Sequence, residues 1–344
     1  MASLRTNMPP QRRRSTAVTV MIVLGILIVA AFVVSMNTGF IRLSPLDVLR
    51  TLFGGGTDKE NLILFDFRLP RIVISVLVGA GLAVSGCILQ GISRNALADP
   101  GILGINAGAG LVVLLFISFY PTTSAAPPFL LPVLALVGAG LTSALIYALA
   151  FKRHEGLSPT RLVLTGIAVA AGISAATIVL TLRLSPEKYQ FVQTWMAGSI
   201  WGTNWKFVLA LLPWIVVLLP LAMYKARVLN VLNLGEQTAT GLGTPVERER
   251  LGLLGAAAAL AASCVAVSGG IGFIGLIGPH LARRLVGPQH QLLLPASALA
   301  GALLLIVADT IGRSLLGKAE VPAGIVVAVI GAPYFLYLLS RSRA

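Results

Sequence analysis

The stretch FDFRLPRIV, Phe65 to Val73, sets Arg68 and Arg71 either side of a proline at the edge of a long apolar run. A further arginine, Arg313, closes another such run, LLLIVADTIGR. A guanidinium offers carboxylates a planar fork of donors, so arginines grouped this way suit recognition of an acidic partner. An arginine at a helix end can equally anchor that end among lipid headgroups. The residues alone leave both roles open. Bond chemistry has few candidates. The chain carries no His-Glu-x-x-His stretch, no paired aspartates inside an apolar run and no Ser/His couple. GRSLLGKA, Gly312 to Ala319, has the spacing of a phosphate loop, but Ala319 stands where a magnesium-holding Ser or Thr belongs, and no strand precedes it. It is read as a chance match.

The elements that must position those arginines follow from composition. Of 344 residues, 56% are hydrophobic and only 11% charged, against about a quarter charged in soluble domains. The chain therefore reads as an all-α polytopic membrane protein. Its 36 glycines fit that class, because small residues let membrane helices approach closely. The net charge of +14 comes without a basic patch interleaved with aromatics, which argues against nucleic acid as a partner. Cys87 and Cys264 each lie inside an apolar segment and read as small buried hydrophobes rather than a disulfide or metal pair.

A helix needs about 20 apolar residues to cross a hydrocarbon layer of roughly 30 Å. Runs near 17–36, 72–90, 102–119, 129–150, 162–182, 207–224, 251–268, 292–311 and 322–340 meet that description, and GFIGLIGPHLARR from Gly272 adds a half-length helix. The first run is full-length and lacks a cleavage site before Met36, so it is read as a membrane helix rather than a signal peptide. Counting the half-length helix gives ten spans, with both termini on one side. Residues 1–16 form a basic tail and 17–340 a single transmembrane domain.

Placing the N-terminus in the cytoplasm puts 16 of the 26 Lys and Arg on the inner side, including Arg12, Arg13, Arg14, Arg283 and Arg284. That satisfies the positive-inside rule. It also puts Arg68, Arg71 and Arg313 outside, against the bias. No ionisable residue lies at mid-span, and Asp309 sits near the outer end of its run. Ion-coupled transport, which usually leaves a charge at depth, is disfavoured. The longest polar inner segment, about 225–250, contains LNLGEQTATGLG. It can form a short helix with Glu236 at its start, where the helix dipole favours an acid. It is either an amphipathic connector or an element that seats on a cytoplasmic motor.

Several stretches are similar, in order, to the FecCD family of permease subunits from binding-protein-dependent ABC importers. They are RLPRIVISVLVGAGLAVSGCILQGISRNALADPGILGINAGAG, LNLGEQTATGLG, GFIGLIGPHLARRLVGPQHQLLLPASALAGALLLIVADTIGR and AEVPAGIVVAVIGAPYFLYLL, spanning about Leu43 to Leu339. The resemblance implies the ten-helix type II importer permease fold in a bacterial cytoplasmic membrane, with no enzymatic activity and no cofactor on this chain. It further implies a second permease subunit (identical or a sister chain), two cytoplasmic ATP-binding subunits that hold ATP and magnesium, and an extracytoplasmic binding protein.

By the same resemblance, Arg68, Arg71 and Arg313 align with arginines that meet acidic residues of the binding protein. Asn233, Leu234, Gly235, Glu236, Ala239, Gly241 and Gly243 align with the loop that couples to the ATPase. Asn95, Leu97, Pro159 and Thr160 align with the two short loops of a cytoplasmic gate. Here the sequence departs from the family. Ala96 replaces a proline between Asn95 and Leu97, which removes one fixed φ, and Pro159 stands where a hydroxyl residue is found in the vitamin B12 member. The implied cargo is a ferric siderophore of hydroxamate or catecholate type, with haem and vitamin B12 as alternatives.

Overall fold

In lipid the backbone must satisfy its own hydrogen bonds, so an apolar run of this length folds as a helix. The computed structural model describes residues 10–38, 44–120, 129–152, 156–315 and 320–342. Most of the N-terminal tail and the end of GRSLLGKA lie outside them. The helices are α1 (Pro10–Asn37), α2 (Pro45–Leu52), α3 (Asp58–Asn61), α4 (Leu69–Ser93), α5 (Ile105–Phe119), α6 (Leu130–Ala150), α7 (Pro159–Thr181) and α8 (Pro186–Met196). They continue with α9 (Trp205–Tyr224), α10 (Ala226–Asn233), α11 (Glu236–Gly241), α12 (Val246–Ser268), α13 (Ile274–Val286), α14 (His290–Leu315) and α15 (Ala323–Ser342). A π-helical stretch, Leu62–Arg68, joins α3 to α4, and a 3₁₀ turn, Pro100–Leu103, precedes α5. Strands β1 (Phe151–Lys152) and β2 (Gly156–Leu157) pair antiparallel between α6 and α7.

Each expected span coincides with a helix, and among the described residues seven helical segments are long and apolar enough to cross a membrane. α5 and α13 are shorter, and the apolar stretch of α15 is short, Ala323–Tyr337. The expected start at 72 is corrected: helix runs without a break from Asp58, through the π stretch, to Ser93. Its beginning is set by Thr57, whose side chain and Glu60 cap each other in a capping box. The third expected span starts late, at Ile105, because Asp99 and Pro100 open the 3₁₀ turn first. α2, α8 and the β1–β2 hairpin are additions that the apolar pattern did not reveal. Ser44 and Ser185 cap α2 and α8, each followed by a proline at the first helical position.

α4 is the axis of the bundle. The most apolar window of the helix that contains it is 78% buried, whereas that of α1 is 11% buried. α4 packs against α14, α12, α13 and α9. α1, α7 and α9 present apolar faces outward, as lipid-facing helices do. The seams around α4 are made by glycine. A Cβ at Gly79 would collide with the carbonyl of Gly301 on α14, and one at Gly86 would collide with the backbone of Gly275 on α13. Backbones meet directly at both crossings; Gln90 donates to the Gly275 carbonyl at 3.2 Å beside the second, and Ser85 donates to the Ala257 carbonyl of α12 at 2.6 Å.

The bundle has two functional ends. Arg68, Arg71 and Arg313 lie at one, with the C-terminus of α1. The C-terminus of α4, the N-terminus of α7 and the loop carrying α11 lie at the other. α1 starts and α15 ends at this loop end. A valine at Gly79 or Gly301 would have to force the α4–α14 seam apart, at a cost of about 1–3 kcal/mol or more. Gly301→Val is expected to lower the monodisperse yield several-fold in size-exclusion chromatography. Gly140→Ala, where a Cβ meets nothing within 4 Å, is expected to behave as the parent.

Candidate functional site

At the arginine end the guanidinium groups turn inward and converge. Arg71, in the first turn of α4, grips Asp309 of α14 with a fork: Nε donates to Oδ1 at 3.0 Å and to Oδ2 at 3.2 Å, and Nη2 to Oδ1 at 2.8 Å. Its Nη1 donates to Oε2 of Glu320 at 2.8 Å. Arg313, one turn beyond Asp309 on the same helix, pairs with Asp309 Oδ2 at 3.2 Å. Arg313 also donates to the Ser35 hydroxyl and the Thr38 carbonyl, and Arg68 donates to the Met36 carbonyl. The last turn of α1 contains no basic residue. Its orphan carbonyls, negative by the helix dipole, are met by arginines from two other elements.

The sequence reading set Arg68, Arg71 and Arg313 at a rim facing a partner. The structure brings all three together but buries Arg68 and Arg313. In the pairs of this cluster the Asp309 side chain is 2% exposed, Arg71 12% and Glu320 35%. Glu320 is therefore the group of the cluster that reaches solvent. Sequence reasoning missed it, along with the pairing of Asp309. The available signal was the spacing of Asp309 and Arg313, four apart on one helix, which lets them pair. Nothing in the sequence singles out Glu320. Beside this end, a cavity of about 500 Å³ opens between α8 and its neighbours, lined by Gln190, Thr194, Trp195, Trp201, Thr203 and Phe207 among others.

At the loop end the expected coupling residues form one projecting unit. Gly235 (φ +107°) and Gly243 (φ +79°) bracket α11 in conformations that a side chain resists. Glu236 opens the helix and its carboxylate meets Arg250 of α12 at 3.1 Å, while Lys225 pairs with Glu249 at 2.8 Å. Ala239 is fully buried and seats α11 on the body. Asn233, Leu234, Gly241 and Leu242 are exposed, so two leucines project into solvent on either side of a short helix.

The expected gate residues lie at this same end, on neighbouring elements. Asn95 closes an Asx turn, its Oδ1 accepting from the Leu97 N–H at 2.9 Å. Pro159 and Thr160 open α7, which packs on the 3₁₀ turn that follows Leu97. The residue before Asn95, Arg94, is left-handed (φ +51°), and its Nη1 lies 3.4 Å from where a Cβ at Gly235 would sit. The turn at Asn95 and the loop of α11 are thus in contact. Asp99 accepts from the Gly101 N–H at 2.8 Å, but burial outweighs that bond and pushes its carboxyl up to about 6. Among the described residues, no group of three His, Cys, Asp or Glu side chains could hold a metal ion.

Comparison with known proteins gives a consistent set of relatives. The profile of the FecCD transport family matches residues 26–341. The chain is 52% identical, over 94% of its length and 97% of the relative's, to the iron(3+)-hydroxamate import system permease protein FhuG of Bacillus subtilis. It is 41% identical, over 92% of its length and 94% of the relative's, to the hemin transport system permease protein HmuU of Yersinia pestis. A solved metal-chelate type ABC transporter in an inward-facing conformation superimposes with a TM-score of 0.82 at 33% identity, covering 94% of this chain and 99% of the other.

Removing Asp309 leaves two arginines buried without their shared anion, and breaking such a pair costs roughly 3–5 kcal/mol. Asp309→Asn is expected to lower the thermal unfolding midpoint in lipid nanodiscs far more than Glu320→Gln, whose ion pair is a third exposed. Equal losses from the two variants would contradict the inward organisation of the cluster. Asp99 supplies a pH test. Its folded value is raised above that of the free carboxyl, so its contribution to stability is full below the unfolded value of 3.8 and is lost as pH rises through about 6. Asp99→Asn is expected to raise the unfolding midpoint by a few degrees at pH 7.5 and to leave it unchanged at pH 4.

Proposed function

The chain belongs to the FecCD transport family, and from that membership and the two ends of its bundle we propose that it is the permease subunit of an ATP-driven importer that carries a ferric siderophore, of hydroxamate type first, into a bacterial cell. The observation that carries the reading is the 52% identity, over nearly both full lengths, to a permease of an iron-hydroxamate import system.

In this reading all ten helices, the short α5, α13 and α15 included, build the type II importer permease in the cytoplasmic membrane. The loop end and both termini face the cytoplasm, in line with the 16 of 26 basic residues counted on that side. A second permease subunit completes the pathway, an extracytoplasmic binding protein docks at the arginine end, and two ATP-binding subunits dock at α11. The chain itself performs no bond chemistry and holds no cofactor.

Transport follows by alternating access. The loaded binding protein delivers the chelate to the outer mouth. ATP binding closes the motor subunits, and α11, with Leu234 and Leu242 projecting and Ala239 holding it to the body, passes their motion to the permease. The contact between Arg94 and the loop at Gly235 supports a direct route from α11 to the gate turn at Asn95 and Leu97. Thr160 and Pro159 at the head of α7 form the other side of that gate.

The test is uptake by proteoliposomes holding the permease with its ATPase subunits and binding protein, given radiolabelled ferric hydroxamate or hemin. ATP-dependent entry of the ferric hydroxamate is expected. Ala239→Trp, which pushes α11 off its seat, is expected to cut uptake at least tenfold while binding-protein docking persists. Entry of hemin alone would move the cargo to haem, and uptake that follows an ion gradient without ATP would overturn the importer reading.

A further inference from the structure

The arginine end holds a resident carboxylate where an incoming one has to go. Arg71 divides its donors between two acids. Its Nε–Nη2 edge is committed to Asp309, which is buried and shared with Arg313, so that pair is locked on both sides. Its Nη1 is committed to one oxygen of Glu320, whose side chain is 35% exposed. The two carboxylates therefore differ in kind. Exchanging Asp309 would strand the buried Arg313 and leave Arg71 only its partly exposed partner. Exchanging Glu320 disturbs one partly solvated pair of the sort worth about 0–1 kcal/mol.

The backbone that follows Glu320 limits what can move. The Val321 N–H donates to the Gly312 carbonyl at 3.1 Å, and the Gly324 N–H donates to the Gly198 carbonyl at 2.9 Å. The chain entering α15 is pinned to α14 and to the turn after α8. The Glu320 side chain can leave Arg71 by rotation about its own bonds while that backbone stays in place.

From this arrangement we infer that Glu320 is an intramolecular competitor for docking: it occupies on Arg71 the place that a carboxylate of the extracytoplasmic binding protein takes, and docking exchanges one for the other. The inference rests on the docking reading given above and adds to it the residue that regulates the same contact. Within the cluster, an approaching acidic partner meets the negative charge of Glu320 before it meets Arg68, Arg71 or Arg313, because Glu320 is the most exposed member. When the partner departs, Glu320 returns and Arg71 is never left without an anion. The device weakens the docked state and hastens release, which a binding protein that must cycle requires. The effect falls mainly on the dissociation rate, as most tuning of one interface does.

The experiment measures association of the ligand-loaded binding protein encoded with this chain to the complete transporter, permease pair and ATPase subunits together, in nanodiscs by biolayer interferometry. Glu320→Gln keeps the size and hydrogen-bonding reach of the side chain and removes its charge. It is expected to tighten binding up to about fivefold, chiefly through slower dissociation, a change equivalent to about 1 kcal/mol. Glu320→Ala must show the same sign, and both variants must elute as monodisperse complexes. Unchanged binding in both variants overturns the inference, and so does weakened binding, which would mean that Glu320 itself contacts a basic group of the partner. The double variant Arg71→Gln/Asp309→Asn removes the buried pair; because it also takes the anion from Arg313, it too must elute as a monodisperse complex. If it weakens binding while Glu320→Gln is neutral, the competitor role alone fails. If neither it nor Arg68→Gln alters binding, the docking reading fails and the competitor role with it.

Discussion

The fold depends on the direct contact of backbones along α4. A helix that is apolar on all sides gains nothing from hiding apolar surface when its surroundings are lipid, so its packing must come from close approach and shape. Gly79 against Gly301 and Gly86 against Gly275 supply that approach on two neighbours at once. The Arg71–Asp309 fork closes the α4–α14 seam at the arginine end, where the ion pair is sheltered but close to the partly exposed Glu320. Dispersion along the seam and the charge pair at its end act on the same two helices, so the position of the arginines is a consequence of the seam.

That seam also relates the two ends of the molecule. Arg71 begins α4 and Arg94 follows its last residue, so one buried, glycine-clamped helix joins the charged cluster to the turn at Asn95. A rod held this tightly transmits displacement as a whole and bends little. Conformational freedom belongs to the elements that α4 does not clamp: α7, which is exposed along most of its length, and α11, held by Ala239 and two ion pairs around its base. Those are the elements that carry Pro159, Thr160 and Glu236.

How much of this could be read from sequence follows from what each feature depends on. The helices were legible because lipid imposes a length and a composition, and both are written in the chain. α11 was legible because glycines at Gly235 and Gly243 bracket a polar segment with an acid at its head. α2 and α8 were not, since short interfacial helices lack a full-length apolar run and declare themselves only through caps such as Ser44 and Ser185. The arginines were found as exceptions to the positive-inside bias, and the structure does place them together. Their burial was not legible. It depends on which carboxylate the fold brings within 3 Å, and Glu320 lies 249 positions from Arg71 in sequence.

Burial changes what a charge count at this end means. Three arginines against two acids suggest a positive mouth, yet Arg68 and Arg313 spend their donors on the carbonyls and hydroxyl at the end of α1, and Arg71 spends its own on Asp309 and Glu320. What solvent meets is a carboxylate. On the docking proposed above, charge complementarity with an acidic partner is latent in the resting chain and is realised only as the surface carboxylate moves. A contact built this way sacrifices affinity and gains selectivity, because a partner must present its acid at the one position where a resident acid can be replaced. The same geometry keeps Arg71 from being a free cation, and on this proposal it reserves that guanidinium for the partner that fits it.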